Sequence, residues 1–144
     1  MSEQILDMAA ITCEYLRDYS GVAALVGERV ATRSPAPDDL DEPWVRVTPL
    51  DPENVTGTSR VEWLVSYYLQ IDCYAGAENR FHEEAFDLAR TVRAALVDMP
   101  GAFLEEAVVT DIGFASMPPR PDTDLTPARE RFILDAEIYA HPKP

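Results

Sequence analysis

The clearest pattern in the chain is the alternation in "VEWLVSYYLQIDCYA" (61–75). Val61, Trp63, Val65, Tyr67, Leu69, Ile71 and Cys73 fall on every second position, so they share one face of a strand. Glu62, Ser66, Gln70 and Asp72 mark the opposite face as polar, yet Leu64, Tyr68 and Tyr74 also lie on it. Two other strands carry the same period. "WVRVTPLD" (44–51) is short, and Pro49, which cannot donate to a ladder, marks an edge or a strand end. "ARERFILDAEIYA" (128–140) sets Phe132, Leu134, Ala136 and Ile138 against Arg131, Asp135 and Glu137, with Ile133 and Tyr139 among the latter. A further strand is expected over 106–116, with Val108, Ile112 and Phe114 on one face.

Helical periodicity occurs twice. Over 3–19, the residues Ile5, Met8, Ala9, Ile11, Thr12, Cys13, Tyr15, Leu16 and Tyr19 make one broad face, with Glu3, Asp7, Glu14, Arg17 and Asp18 opposite. Over 78–98, Phe81, Ala85, Leu88, Ala89, Val92, Ala95, Leu96 and Met99 share a face, and Pro100-Gly101 stops the helix. Asp87 and Arg90 are spaced to pair on its wet side. Between the first helix and the first strand, Ser20 is placed to cap a short helix over 22–26 that Gly27 ends. The Pro- and Asp-rich stretch 29–43 reads as a connection.

The expected order is therefore α, short α, β, β, α, β, β. It makes a two-layer α+β fold: a four-stranded, mostly antiparallel sheet with two main helices on one face. Its 144 residues suit a single domain spanning 1–144. A chain this long buries roughly two-thirds of its unfolded surface without a metal or disulfide staple. The second face of the sheet is left without a covering layer.

Composition removes several classes of function. The chain holds 26 acidic and 12 basic residues, for a net charge of −14. Its one lysine is Lys143, so the clustered cations that bind nucleic-acid phosphates are missing. The acidic excess maintains solubility and repels DNA. Cys13 and Cys73 fall on apolar faces, as buried free thiols in a reducing compartment would. The first residues lack the pattern of a signal peptide, and no apolar run reaches a membrane span.

No catalytic, cofactor or metal motif emerges. "HEEAF" (82–86) lacks the second histidine of a zinc helix, and His82 reads as a solvated side chain. "DDLDE" (38–42) and "DTD" (122–124) lack the glycine and closing glutamate of a calcium loop. The cysteines have no base beside them in the pattern. What remains is surface. Leu64, Tyr68 and Tyr74 join Ile133 and Tyr139 on the second sheet face, either as scattered half-covered residues or as a patch for a partner subunit. Phe86 and Val97 fall off the apolar face of the long helix beside Arg90 and Arg93, which suits a helix rim or an interface. Two long polar loops complete the set: 51–60, with Asp51, Glu53 and Asn54, and 117–127, with Met117, Arg120, Asp122 and Asp124.

The whole order has a counterpart. A helix runs into "GVAALVGERV" (21–30), and a Pro-rich connection ends in "EPWVRV" (42–47). The strand "VEWLVSYYLQIDCYAG" (61–76) leads to the helix "RFHEEAFDLARTVRAAL" (80–96), and the chain finishes on "RFILDAEIYAH" (131–141). This resembles the tail terminator, or tail-completion, proteins of long-tailed bacteriophages, over nearly the whole chain. The resemblance implies a structural virion protein with no enzymatic activity and no cofactor. It implies a ring, typically hexameric, that caps the tail tube, ends its polymerisation and offers the head a docking surface. The implied partners are further copies of the chain, the tail tube protein and head–tail connector proteins, with DNA only passing through the lumen and no membrane contact. The implied place is the tail–neck junction of a virion assembled in the host cytoplasm. In such rings neighbouring sheets abut and loops reach toward tube or connector, which would occupy the second sheet face and both long loops. Two other readings stand beside it: a neck or head–tail connector protein of similar size and acidity, and an enzyme or small-ligand domain that uses the sheet as a cup.

Overall fold

The structure is a computed structural model and describes residues 6–33, 42–50, 65–76, 81–115 and 131–143. Helix α1 spans Met8–Asp18, α2 Ser20–Val26 and α3 Phe81–Val97. Strands are β1 (Val30–Ala31), β2 (Trp44–Pro49), β3 (Val65–Tyr74), β4 (Ala107–Ala115) and β5 (Arg131–Pro142). They form one sheet in the order β1-β2-β3-β5-β4. All neighbours are antiparallel except β1, which runs parallel to β2.

The α+β architecture expected from the alternation is the one observed, with one strand more. β1 is the addition: Val30 and Ala31 pair with Val45 and Arg46. Two residues are too few to show a period, so the pattern did not reveal it. The Val45 amide also donates to the Arg29 carbonyl, and an Arg17 guanidinium nitrogen donates to the Val30 carbonyl at 2.7 Å. Pro49 closes β2 rather than marking a sheet edge.

One face of the sheet holds the core. Val45, Val47, Leu69, Ile71, Cys73, Ala136, Ile138 and Ala140 are buried there against Leu16 of α1, Val22 and Val26 of α2, and Leu88, Val92 and Leu96 of α3. α1 lies on β1 and β2, and α3 lies on β3 and β5. Asp7 caps α1, its carboxylate accepting from the Ala10 amide at 3.1 Å. Ser20 does not cap α2; the capping residue is Tyr19, with no side-chain hydrogen bond, and Ser20 is already helical. Gly27 closes α2 at φ 58°, in the region that disfavours side chains with a Cβ. Tyr15 ties α1 to α3 by donating to the Ala95 carbonyl at 2.5 Å, one of the carbonyls that the helix end leaves open. At the other end of α3, the Gly76 amide donates to the Glu84 carboxylate, which joins β3 to the helix that follows.

β4 departs from simple alternation. The register shifts between Val109 and Asp111, a β-bulge. The extra residue places Val109 on the same face as Ile112 and Phe114, and Val108 turns to the other side, opposite His141. Val108 was expected with Ile112 and Phe114; a strict period of two cannot show a bulge.

Candidate interaction surface

The second sheet face is not bare. In register, Trp44, Tyr74 and Arg131 lie side by side across β2, β3 and β5, and Arg46, Asp72 and Ile133 form the next row. Tyr74 is 1% exposed and Ile133 5% exposed within a single chain. Neither can meet a partner subunit, which corrects the expectation drawn from alternation. The described residues supply part of the reason. The Arg131 guanidinium lies 6.0 Å over the Tyr74 ring and 3.6 Å from the Asp72 carboxylate. Arg33 lies 4.7 Å over Trp44, whose indole donates to the Arg33 carbonyl at 3.1 Å. Asp72 also accepts from the Gln70 amide at 3.2 Å. The arginine guanidinium groups themselves lie over the aromatic rings, and that of Arg131 also faces the Asp72 carboxylate.

Further along the same face the surface stays half-exposed. Tyr68 and Tyr139 are half-buried there, and both hydroxyls are directed at the Glu137 carboxylate. That hydrogen bond, with some burial, pushes the Tyr68 hydroxyl up to about 12 and raises Tyr139 as well. Burial does the same for Tyr15, which reaches about 12. A raised tyrosine favours the folded chain below its ordinary value of 10, and that contribution disappears as pH rises through about 12. In an alkaline titration followed by tyrosinate absorbance, these tyrosines should ionise above the ordinary value of 10. Tyr68→Phe should remove one late component and leave the others. A titration with every tyrosine ionising near 10 would contradict the Tyr68–Glu137 contact.

The long helix matches its expected surface. Phe86 is 46% and Val97 51% exposed, and Arg90 and Arg93 are exposed between them. Arg90 pairs with Asp87 at 3.0 Å and stands 5.7 Å over the Phe86 ring. Arg93 stands 4.9 Å over Phe114 of β4. Phe86 packs edge-on against Phe132 at 5.6 Å. A residue not anticipated from the pattern joins them: Phe103, in the turn before β4, is 91% exposed with the Lys143 ammonium 4.0 Å from its ring. No periodic segment contains Phe103, so only its exposure in the fold singles it out. Leu64, Asp51, Glu53, Asn54, Met117, Arg120, Asp122 and Asp124 lie outside the described residues.

The remaining chemistry is quiet. Cys13 and Cys73 are free and buried, and burial pushes the Cys13 thiol up to about 11 and Cys73 higher still. Thiols held protonated in this way are poor nucleophiles. Among the described residues no cluster of His, Cys, Asp or Glu is arranged to hold a metal ion. Among them, too, no helix is long and apolar enough to cross a membrane.

The sequence matches the family Tail completion protein gp17 over residues 13–136, from within α1 to within β5. The chain belongs to this family. Membership makes it a structural component of the phage virion, with its role at the tail. A chain from a structure described as "Virion of native gene transfer agent (GTA) particle" has the same fold, with a TM-score of 0.65 and 22% sequence identity over 95% of each chain. No curated protein sequence matches the chain.

Proposed function

We propose that the chain forms a ring on the finished tail tube, stops tube polymerisation and presents the surface to which the head attaches. The observation that carries this reading is the match to the tail completion family over 13–136. The shared fold with a protein of a gene transfer agent virion supports it. Its partners are further copies of itself, the tail tube protein and connector proteins, and its place is the tail–neck junction. The polar stretches around Asp51, Glu53 and Asn54, and around Met117, Arg120, Asp122 and Asp124, are the proposed reach toward tube and connector. DNA passes without sticking, because a chain of net charge −14 repels phosphate.

Electron microscopy of a lysate with this gene disrupted tests the proposal. Overlong tubes beside unattached, DNA-filled heads are the expected result. Tubes of normal length beside unattached heads would assign the chain to the connector instead. Intact virions would remove both roles.

A further inference from the structure

The edge strand of a sheet presents a row of amides and carbonyls to which another strand can add, and a long apolar edge is an aggregation site. β4 is such an edge. It is nine residues long, and among the described residues no strand pairs with its outer side. It carries Val108, Val109, Ile112 and Phe114 but no lysine or proline, the residues that commonly blunt an edge. The net charge of −14 holds copies apart at low salt, but at 0.1 M ionic strength such repulsion is screened beyond about 10 Å. Keeping β4 unpaired therefore takes a device at the strand itself.

The bulge supplies it. Val109 pairs with Ala140 and Asp111 with Tyr139, which leaves Thr110 as the extra residue. The Thr110 hydroxyl donates to the Tyr139 carbonyl at 3.2 Å and pins the bulge to β5. The Asp111 carboxylate accepts from the Ile112 amide at 2.8 Å, so that amide is not open to an added strand. An approaching strand would also meet the charge of Asp111, which is exposed.

The opposite edge is closed by the same means. β1 pairs over two residues only, and both backbone groups of Val30 are taken from within the chain. The Val30 amide donates to the Glu28 carbonyl at 2.8 Å, and the Val30 carbonyl accepts from Arg17 at 2.7 Å.

We infer that Asp111 is an edge guard: its carboxylate holds the Ile112 amide and so keeps β4 from pairing with the β4 strand of a second copy. With β1 closed by Arg17, loss of the guard opens one edge only. One open edge per copy gives a closed two-fold pair and not a fibre. The inference concerns strand pairing alone and does not depend on the ring reading, whose contacts can be made through side chains.

Sedimentation velocity and amide hydrogen exchange of the purified full chain test it, in about 1 M sodium chloride to shrink the Debye length to about 3 Å. Wild type and Asp111→Asn should share one distribution, because the asparagine oxygen still accepts from the Ile112 amide. Asp111→Val should gain a species of twice the wild-type mass, with the Ile112 amide roughly tenfold or more protected. Its circular-dichroism spectrum should match wild type, since Asp111 is exposed. Adding Gly113→Lys should return the wild-type distribution. A side chain fits there, because a Cβ at Gly113 meets nothing within 4 Å, and lysine blunts an edge. An Asp111→Val chain that sediments like wild type would overturn the inference. So would Asp111→Asn pairing as the valine variant does, since charge alone would then be the guard. A double-mass species with an unprotected Ile112 amide, or a Gly113→Lys double variant that stays paired, would place the contact elsewhere and overturn it too.

Discussion

Tyr74→Ala should unfold the chain readily and not merely weaken its assembly. Among the described residues Tyr74 is the largest fully buried side chain, lying beside Trp44 on β2 and under Arg131 on β5. Truncating a buried aromatic removes its contacts and leaves a cavity, at a cost of about 3–5 kcal/mol. For a chain of this size, that lowers the melting temperature by roughly 10 °C. Thermal melting followed by circular dichroism measures it. A variant that melts like the wild type but fails in assembly would place Tyr74 on an interface, contrary to its 1% exposure in the single chain.

Arg131→Met should be nearly as damaging, for a different reason. Asp72 is 1% exposed and stands 3.6 Å from the Arg131 guanidinium. Removing the cation leaves a carboxylate in a poorly solvated place with less compensation, and breaking such a pair from one side costs about 3 kcal/mol. The Arg131 side chain keeps 23% exposure, which puts the expected loss at the lower end of the range for buried pairs. Adding Asp72→Asn should recover part of the loss, because the amide leaves no unneutralised charge. Denaturant unfolding of the single and double variants gives the comparison. Equal stability of Arg131→Met and wild type would show that the charge of Asp72 is satisfied without Arg131.

The two variants probe the place where the sequence misleads. Alternation along β3 and β5 assigns Tyr74 and Ile133 to a face correctly, but a face is not an exposure. Whether that face is covered depends on which side chains from other strands lie over it. Over Tyr74 lies Arg131 of β5, which is not an apolar residue that a core-seeking pattern would select. Phe86, Arg90, Arg93 and Val97 were legible because one helix carries all four, and its buried face is fixed by Ala85, Leu88, Val92 and Leu96. Phe103 was not, because a single phenylalanine in a turn carries no period to interpret.

By itself, the sequence determined the class of fold, the boundaries of the main elements within a few residues, the core face of each main element except β4, and the absence of a recognisable catalytic motif. These follow from local spacing: a period of two for strands and of about 3.6 for helices is imposed on any chain that must bury one side of an element. The order of elements, together with "LVGERV" and the strand–glycine–helix junction, was enough to point to the family. Only the tertiary structure decided the rest. It added β1, whose two residues are held by pairing with β2 and not by any pattern of their own. It placed the β4 bulge, which exchanges Val108 for Val109 on the core face. It also set β1 and β4 at opposite edges of one sheet. Strand order depends on pairings between residues far apart in the chain, and no local spacing records them.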